Sequence, residues 1–208
     1  MSYVDEPVAR ARALVASGPR RLLGIAGPPG AGKSTLAEAL VDALGGAAVL
    51  VPMDGFHLAD RELARLGRAD RKGAPDTFDA YGYAALLGRL RTPNPGETVY
   101  APCFERELEE PVAGALPIPP DVPLVVTEGN YLLLDEPPWS TAVRPLLDEV
   151  WWVDVDDAVR VERLIARHVA FGKSPERARS WVLRSDEANA RRVASGRERA
   201  DVIVDVPG

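Results

Sequence analysis

The stretch Gly27-Pro28-Pro29-Gly30-Ala31-Gly32-Lys33-Ser34-Thr35 constrains this chain more than any other. It meets the pattern G-x-x-x-x-G-K-[ST] at every fixed position. Leu22-Leu23-Gly24-Ile25-Ala26 before it is an apolar run of buried-strand type. After it, Leu36, Ala37, Leu40, Val41 and Leu44 share one helical face, and Gly45-Gly46 stops the pattern. The chain must therefore pass from strand through a glycine loop into a helix. Glycines let backbone N–H groups turn inward and approach a polyphosphate, and the helix N-terminus adds orphan donors and a positive dipole end. Lys33 can reach the outer phosphates, and the Ser34 hydroxyl can reach magnesium. Gly27, Gly30, Ala31, Gly32 and Thr35 complete the predicted nucleotide cradle.

Length and composition narrow the rest. The chain has 208 residues, enough for one sizeable core, and a single domain over 1–208 is expected. A net charge of −6 argues against broad nucleic-acid affinity. One cysteine, Cys103, excludes an internal disulfide framework or a cysteine-rich zinc site. No basic-then-apolar leader and no apolar run of membrane-span length is visible. The expectation is a cytoplasmic protein without membrane or nucleic-acid partners, with a homodimer open.

Further along, Pro7 suits the first turn of a helix over 6–17, with Val8, Ala11, Leu14 and Val15 inward. Residues 47–52 read as a second strand, followed by Asp54-Gly55-Phe56-His57. An acid just past a strand's carboxyl end lies where open α/β sheets bind ligands. His57 reads equally as an acceptor contact or as a structurally satisfied side chain. Arg61, Arg65, Arg68, Arg71 and Lys72 make a polar, basic run, with Asp76 a candidate cap for the helix bearing Tyr83, Leu86, Leu87 and Leu90. Residues 92–123 are proline-rich and weakly periodic, and read as an irregular binding loop with at most a short strand at Thr98-Val99-Tyr100. Cys103-Phe104-Glu105-Arg106 is read as part of an acceptor pocket.

Leu124-Val125-Val126-Thr127 is the clearest buried strand, and Glu128 follows it directly. A carboxylate straight after four core residues is costly unless something pairs with it. Val150–Val155 and Asp201–Val206 read as further strands, and residues 175–194 as a last long helix capped by Ser174. Between them a helix over Asp157–Phe171 is predicted to bury Ala158, Val161, Ile165 and Val169. Arg160, Arg163 and Arg167 would then face the phosphates as a lid.

Together these segments resemble the phosphate-loop kinases that include uridine kinase, phosphoribulokinase and bacterial pantothenate kinase. Asp54-Gly55-Phe56-His57 is similar to that family's Asp-Gly-Phe segment. Lys72-Gly73-Ala74-Pro75-Asp76-Thr77-Phe78-Asp79 is similar to its Lys-Gly-x-Pro-x-x-Phe-Asp segment, and Glu128-Gly129-Asn130-Tyr131-Leu132-Leu133 to its Glu-Gly segment. Phe104-Glu105-Arg106 departs from it, because Asp-Arg or Asp-His is more usual after the aromatic. The resemblance implies an α/β fold, a five-stranded parallel sheet between helices in three layers. It also implies ATP with Mg2+, and transfer of the γ-phosphoryl group to a small-molecule hydroxyl. Asp54 would be the acceptor's base, and Ser34 and Glu128 would lie near magnesium. Lys33, Arg163 and Arg167 would act on the phosphates. His57, Lys72, Tyr100, Arg106 and Asn130 are the other expected acceptor contacts, from insertions near 55–80 and 92–123 under a lid near 157–175.

Two other functions stay open on the sequence. A GTPase-type switch would use Asp70-Arg71-Lys72-Gly73 as its D-x-x-G, but that stretch follows no strand, and no Asn-Lys-x-Asp segment is present. A non-catalytic ATP-binding regulator would need neither Asp54 nor Glu128.

Overall fold

The computed structural model describes residues 3–207. Helix α1 (Asp5–Ala16) leads into strand β1 (Arg21–Ala26), the glycine loop and helix α2 (Lys33–Leu44). Strand β2 (Ala48–Leu50), helix α3 (Asp60–Arg65) and helix α4 (Ala80–Arg91) follow. Strands β3 (Val99–Glu105) and β4 (Glu110–Ile118) precede the core strand β5 (Leu124–Glu128). Strand β6 (Glu149–Asp154), helices α5 (Asp157–Ala170), α6 (Pro175–Trp181) and α7 (Glu187–Val193), and strand β7 (Val202–Asp205) complete the chain.

Five strands form one parallel sheet in the order β2-β5-β1-β6-β7. From β1 the chain crosses to one side of the sheet, and from β5 it crosses to the other. The crevice where such an order reverses, at the carboxyl ends of β1 and β5, is where open α/β sheets bind ligands. Strand periodicity builds the layers: Trp151 packs with Leu23, Ile25, Leu36 and Leu40 on the α1–α2 side, while its neighbour Trp152 packs with Leu22, Tyr131 and Val193 on the other. α4 buries Tyr83, Leu86, Leu87 and Leu90 on that second side.

Several expectations change. Residues 92–123 are not an irregular loop, because 99–118 form an antiparallel ribbon, β3 with β4, carrying a register shift between Ala101 and Cys103. Pro102, Pro111 and Pro117 hid its period-two pattern. A two-stranded ribbon tolerates them because each strand has one unpaired edge. Asp76 caps nothing; it pairs with Arg71 at 2.9 Å, and Asp79 caps α4 by accepting from the Gly82 N–H at 2.8 Å. The last helical run is interrupted by a π turn over Val182–Asp186. Ser174 does cap α6, accepting from the Arg177 N–H at 3.4 Å.

Candidate active site

Gly27, Gly30 and Gly32 all have positive φ, and Gly32 is the N-cap of α2. The loop they form is clamped from outside. A Cβ on Gly30 would stand 2.7 Å from Leu164 and 2.9 Å from the Arg160 carbonyl, so α5 lies directly on the loop. Lys33 begins α2 and is 7% exposed. Its Nζ donates to the Pro28 carbonyl at 3.0 Å and to Asn130 Oδ1 at 2.7 Å. Burial pulls its ammonium down to about 8.

Glu128 is the last residue of β5, and β5 pairs with β1 beside the loop. Its Oε1 accepts from the Ser34 hydroxyl at 3.2 Å. Burial, and then Asp54, push its carboxyl up to about 7. Asp54 sits in a short 3₁₀ turn after β2. A buried chain fixes these two strand ends: Tyr83 donates to the Thr127 hydroxyl at 2.5 Å, which donates to the Val51 carbonyl at 2.6 Å. The ribbon docks on the Asp54 turn at Gly55, where a Cβ would lie 2.3 Å from the Pro102 carbonyl oxygen. That docking brings Arg106 to 4.0 Å from Asp54.

His57 Nδ1–H donates to the Asp54 carbonyl at 2.8 Å, which leaves Nε2 as the acceptor of a neutral ring. Burial pushes its pKa below the ordinary imidazole value. The ring lies between Phe78 and Phe104, with centroids 4.0 and 4.9 Å away. Lys72 reaches Asp60 Oδ1 and the Glu109 carbonyl, each at 2.5 Å. Its ammonium also lies 5.4 Å from the Phe104 ring centre, tying residues 60–72 to the ribbon.

One cleft of about 1120 Å³ gathers Lys33, Ser34, Thr35, Asp54, His57, Lys72, Arg106, Glu128, Asn130, Arg163 and Arg167. Gly30 and Gly32 also line it; Gly27 and Ala31 lie beneath and are buried. Tyr100 does not line it. Val99 and Ala101 point into the core, so the strand's alternation turns Tyr100 outward, 59% exposed.

The three-arginine face of α5 is also corrected. Arg160 is buried, and Leu164 with it, while Ala158 is exposed and Val169 is 39% exposed. Arg160 holds the loop and does not face the cleft: it donates to the Pro29 carbonyl at 3.3 Å and to Glu187 at 2.6 Å. Arg163 lines the cleft and donates to the Pro207 carbonyl at 3.0 Å. The Arg167 guanidinium makes no ion pair or hydrogen bond among the described residues.

Sequence reasoning did not single out Phe78, His168, Lys173 or Trp181 as site residues, although all line the cleft. His168 Nε2 meets Asp186 at 3.1 Å, and Lys173 meets His168 Nδ1 at 3.1 Å. The signal was non-local, because Asp186 reaches the cleft through the π turn, a feature frequent at functional sites.

The sequence profile of the Phosphoribulokinase / Uridine kinase family matches residues 22–208. The chain belongs to that family. It is 34% identical to a Schizosaccharomyces pombe protein named "Putative uridine kinase C227.14", over 98% of this chain and 91% of that one. It is 37% identical to the Aspergillus versicolor "ATP-dependent kinase-like protein notR'", over 70% and 88%. A crystal structure titled "putative fructose transport system kinase", from Silicibacter sp. TM1040, superposes with a TM-score of 0.85. It is 34% identical and covers 98% of both chains. Family membership makes this protein a kinase on a phosphate-loop α/β fold. Among the described residues no helix is long and apolar enough to cross a membrane.

Proposed function

We propose that the protein transfers the γ-phosphoryl group of ATP to a hydroxyl of a small nucleoside-, sugar- or pantothenate-like acceptor. The observation that carries this is the convergence of two carboxylates, Asp54 and Glu128, on the Lys33 loop within one cleft. A site that only bound magnesium-nucleotide could use Glu128 but would have no need of a base at Asp54.

The residues fit a magnesium ion. Among the described residues no cluster of three or more His, Cys, Asp or Glu could hold a metal alone. Ser34 and Glu128 supply one hydroxyl and one carboxylate, the sparse donor set magnesium takes when phosphate oxygens and water complete its shell. The raised pKa of Glu128 marks a buried carboxylate that a cation would relieve. When bound, the ion would neutralise charge on the phosphates.

Lys33, held by Pro28 and Asn130, presents its ammonium to the phosphates. Asp54 accepts the proton of the acceptor hydroxyl as its oxygen bonds to the γ-phosphorus and the bond to the bridging oxygen breaks. Arg106 beside Asp54 orients that carboxylate. His57 Nε2 can accept a hydrogen bond from a second acceptor hydroxyl. Arg167 on α5, the proposed lid, is uncommitted and suits charge that develops during transfer. The names of the relatives put nucleosides and sugars first among acceptors.

The experiment is a panel. Purified protein with magnesium and ATP is offered nucleosides, sugars and pantothenate, and ADP formation is read. Acceptor-dependent ADP supports the reading. Binding of GTP alone would favour a switch instead, and nucleotide binding without turnover on any acceptor would favour a regulator.

A further inference from the structure

The glycine loop accounts for only one end of the nucleotide cleft. Beyond Thr35 its lining also includes Glu38, Arg163, Val206, Pro207 and Tyr3. Tyr3 is the unexpected member. It comes from the segment before α1, outside the residues 22–208 that the family profile covers.

Chain geometry explains how it arrives. α1 packs on α2, and Arg12 donates to the Ala43 carbonyl near the C-terminal end of α2 at 3.5 Å. Going back from Arg12 to Tyr3 covers about 13 Å at about 1.5 Å per residue, and going back from Ala43 to Thr35 covers about 12 Å. The two helices run in the same direction, so Tyr3 returns to the N-terminal end of α2, where the loop ends. It is half-buried and packs against the core cluster that contains Leu36 and Leu40, as does Val206. Its position is therefore fixed by packing.

The chemistry of this end differs from that at Lys33. Asp54, Glu128 and Lys33 form the charged, reacting end. Past Thr35 the surfaces are an aromatic ring, the aliphatic Val206 and a guanidinium held against the Pro207 carbonyl. Aromatic rings and guanidinium planes are the surfaces on which planar bases stack. A nucleoside triphosphate with its γ end toward Asp54 must leave the loop on this side.

We propose that Tyr3 is a base-binding residue of the nucleotide site: its ring covers a face of the nucleobase, from a segment that the family profile does not include. The inference rests on the nucleotide reading above. Its contribution is to the base and not to the phosphates, and it needs the ring and not the hydroxyl.

The test compares equilibrium binding of magnesium-ATP and of magnesium-tripolyphosphate, which has no base, to the wild type, Tyr3→Ala and Tyr3→Phe. Tyr3→Ala should weaken ATP binding roughly tenfold and leave tripolyphosphate unchanged, and Tyr3→Phe should restore ATP binding. Unchanged ATP affinity in Tyr3→Ala would overturn the proposal, and so would an equal loss for both ligands, which would mark Tyr3 as packing alone. A wild type that binds neither ligand would overturn the nucleotide reading, and this inference with it.

Discussion

Arg160 donates a hydrogen bond to the carbonyl of Pro29 at 3.3 Å, although 131 residues separate them in the chain. The same guanidinium, 1% exposed, pairs with Asp157 at 3.0 Å and Glu187 at 2.6 Å. One side chain thus joins the glycine loop, α5 and α7. Removing one partner of a buried pair leaves the other charge uncompensated and costs about 3–5 kcal/mol. Glu187 is partly exposed, so Arg160→Met should cost about 3 kcal/mol, at the lower end, and should weaken ATP binding. Urea denaturation and a nucleotide titration check both. A variant as stable as the parent would show that the contact carries no load.

Asp54→Asn keeps the size of the side chain and removes the basic site. Turnover should fall by roughly 10²- to 10⁴-fold while ATP binding is largely kept. Single-turnover phosphorylation and ATP affinity separate the outcomes. Loss of magnesium-ATP binding would move Asp54 into the metal shell.

The two arginines of α5 that line the cleft should behave differently. Arg163 is already docked on the Pro207 carbonyl, while Arg167 is uncommitted. Arg167→Ala should lower kcat about tenfold or more with little change in KM for ATP. Arg163→Ala should mainly raise that KM. The reverse pattern in steady-state kinetics would exchange their roles.

Gly55→Ala places a methyl where the Pro102 carbonyl oxygen stands 2.3 Å away. The ribbon must shift, and Arg106 with it. Overpacking of this kind costs about 1–3 kcal/mol. The KM for the acceptor should rise about tenfold and the KM for ATP should not, since the loop is untouched. Equal effects on both substrates would argue against the ribbon as an acceptor wall.

Asp148 gives a pH dependence remote from the cleft. It accepts from the Leu22 N–H at 2.8 Å, from Arg21 at 2.9 Å and from Arg91 at 3.0 Å. Burial alone would raise its pKa, but these three donors outweigh burial and hold it below the ordinary value. A carboxyl with a depressed folded pKa stabilises fully above its unfolded value, and the contribution is lost as pH falls through the folded one. Asp148→Asn should therefore cost about 2 kcal/mol at pH 7, with the gap to wild type closing in acid. Urea midpoints across that range decide it.

What could be read in advance followed the range of the interactions. The glycine loop, α2 and the strand ends bearing Asp54 and Glu128 depend on neighbours in sequence, and all lie where spacing and apolar runs put them. The buried face of α5 was misread because an arginine is a poor core residue until Pro29 and Glu187 receive it. The ribbon was missed because prolines broke its alternation, and what seats it is the absence of a side chain at Gly55, far away in sequence. Tyr100, an expected acceptor contact, is turned outward by its strand's alternation, which depends on a pairing with β4 that the prolines concealed.

Arg106 lies 5.7 Å from the centre of the Phe171 ring as well as near Asp54. Phe171 terminates α5, and Arg106 sits at the tip of the ribbon. Two flaps from distant parts of the chain are therefore latched by one side chain. Neither can swing away without giving up that contact, so movement of the ribbon tip and of the end of α5 is coupled through one guanidinium.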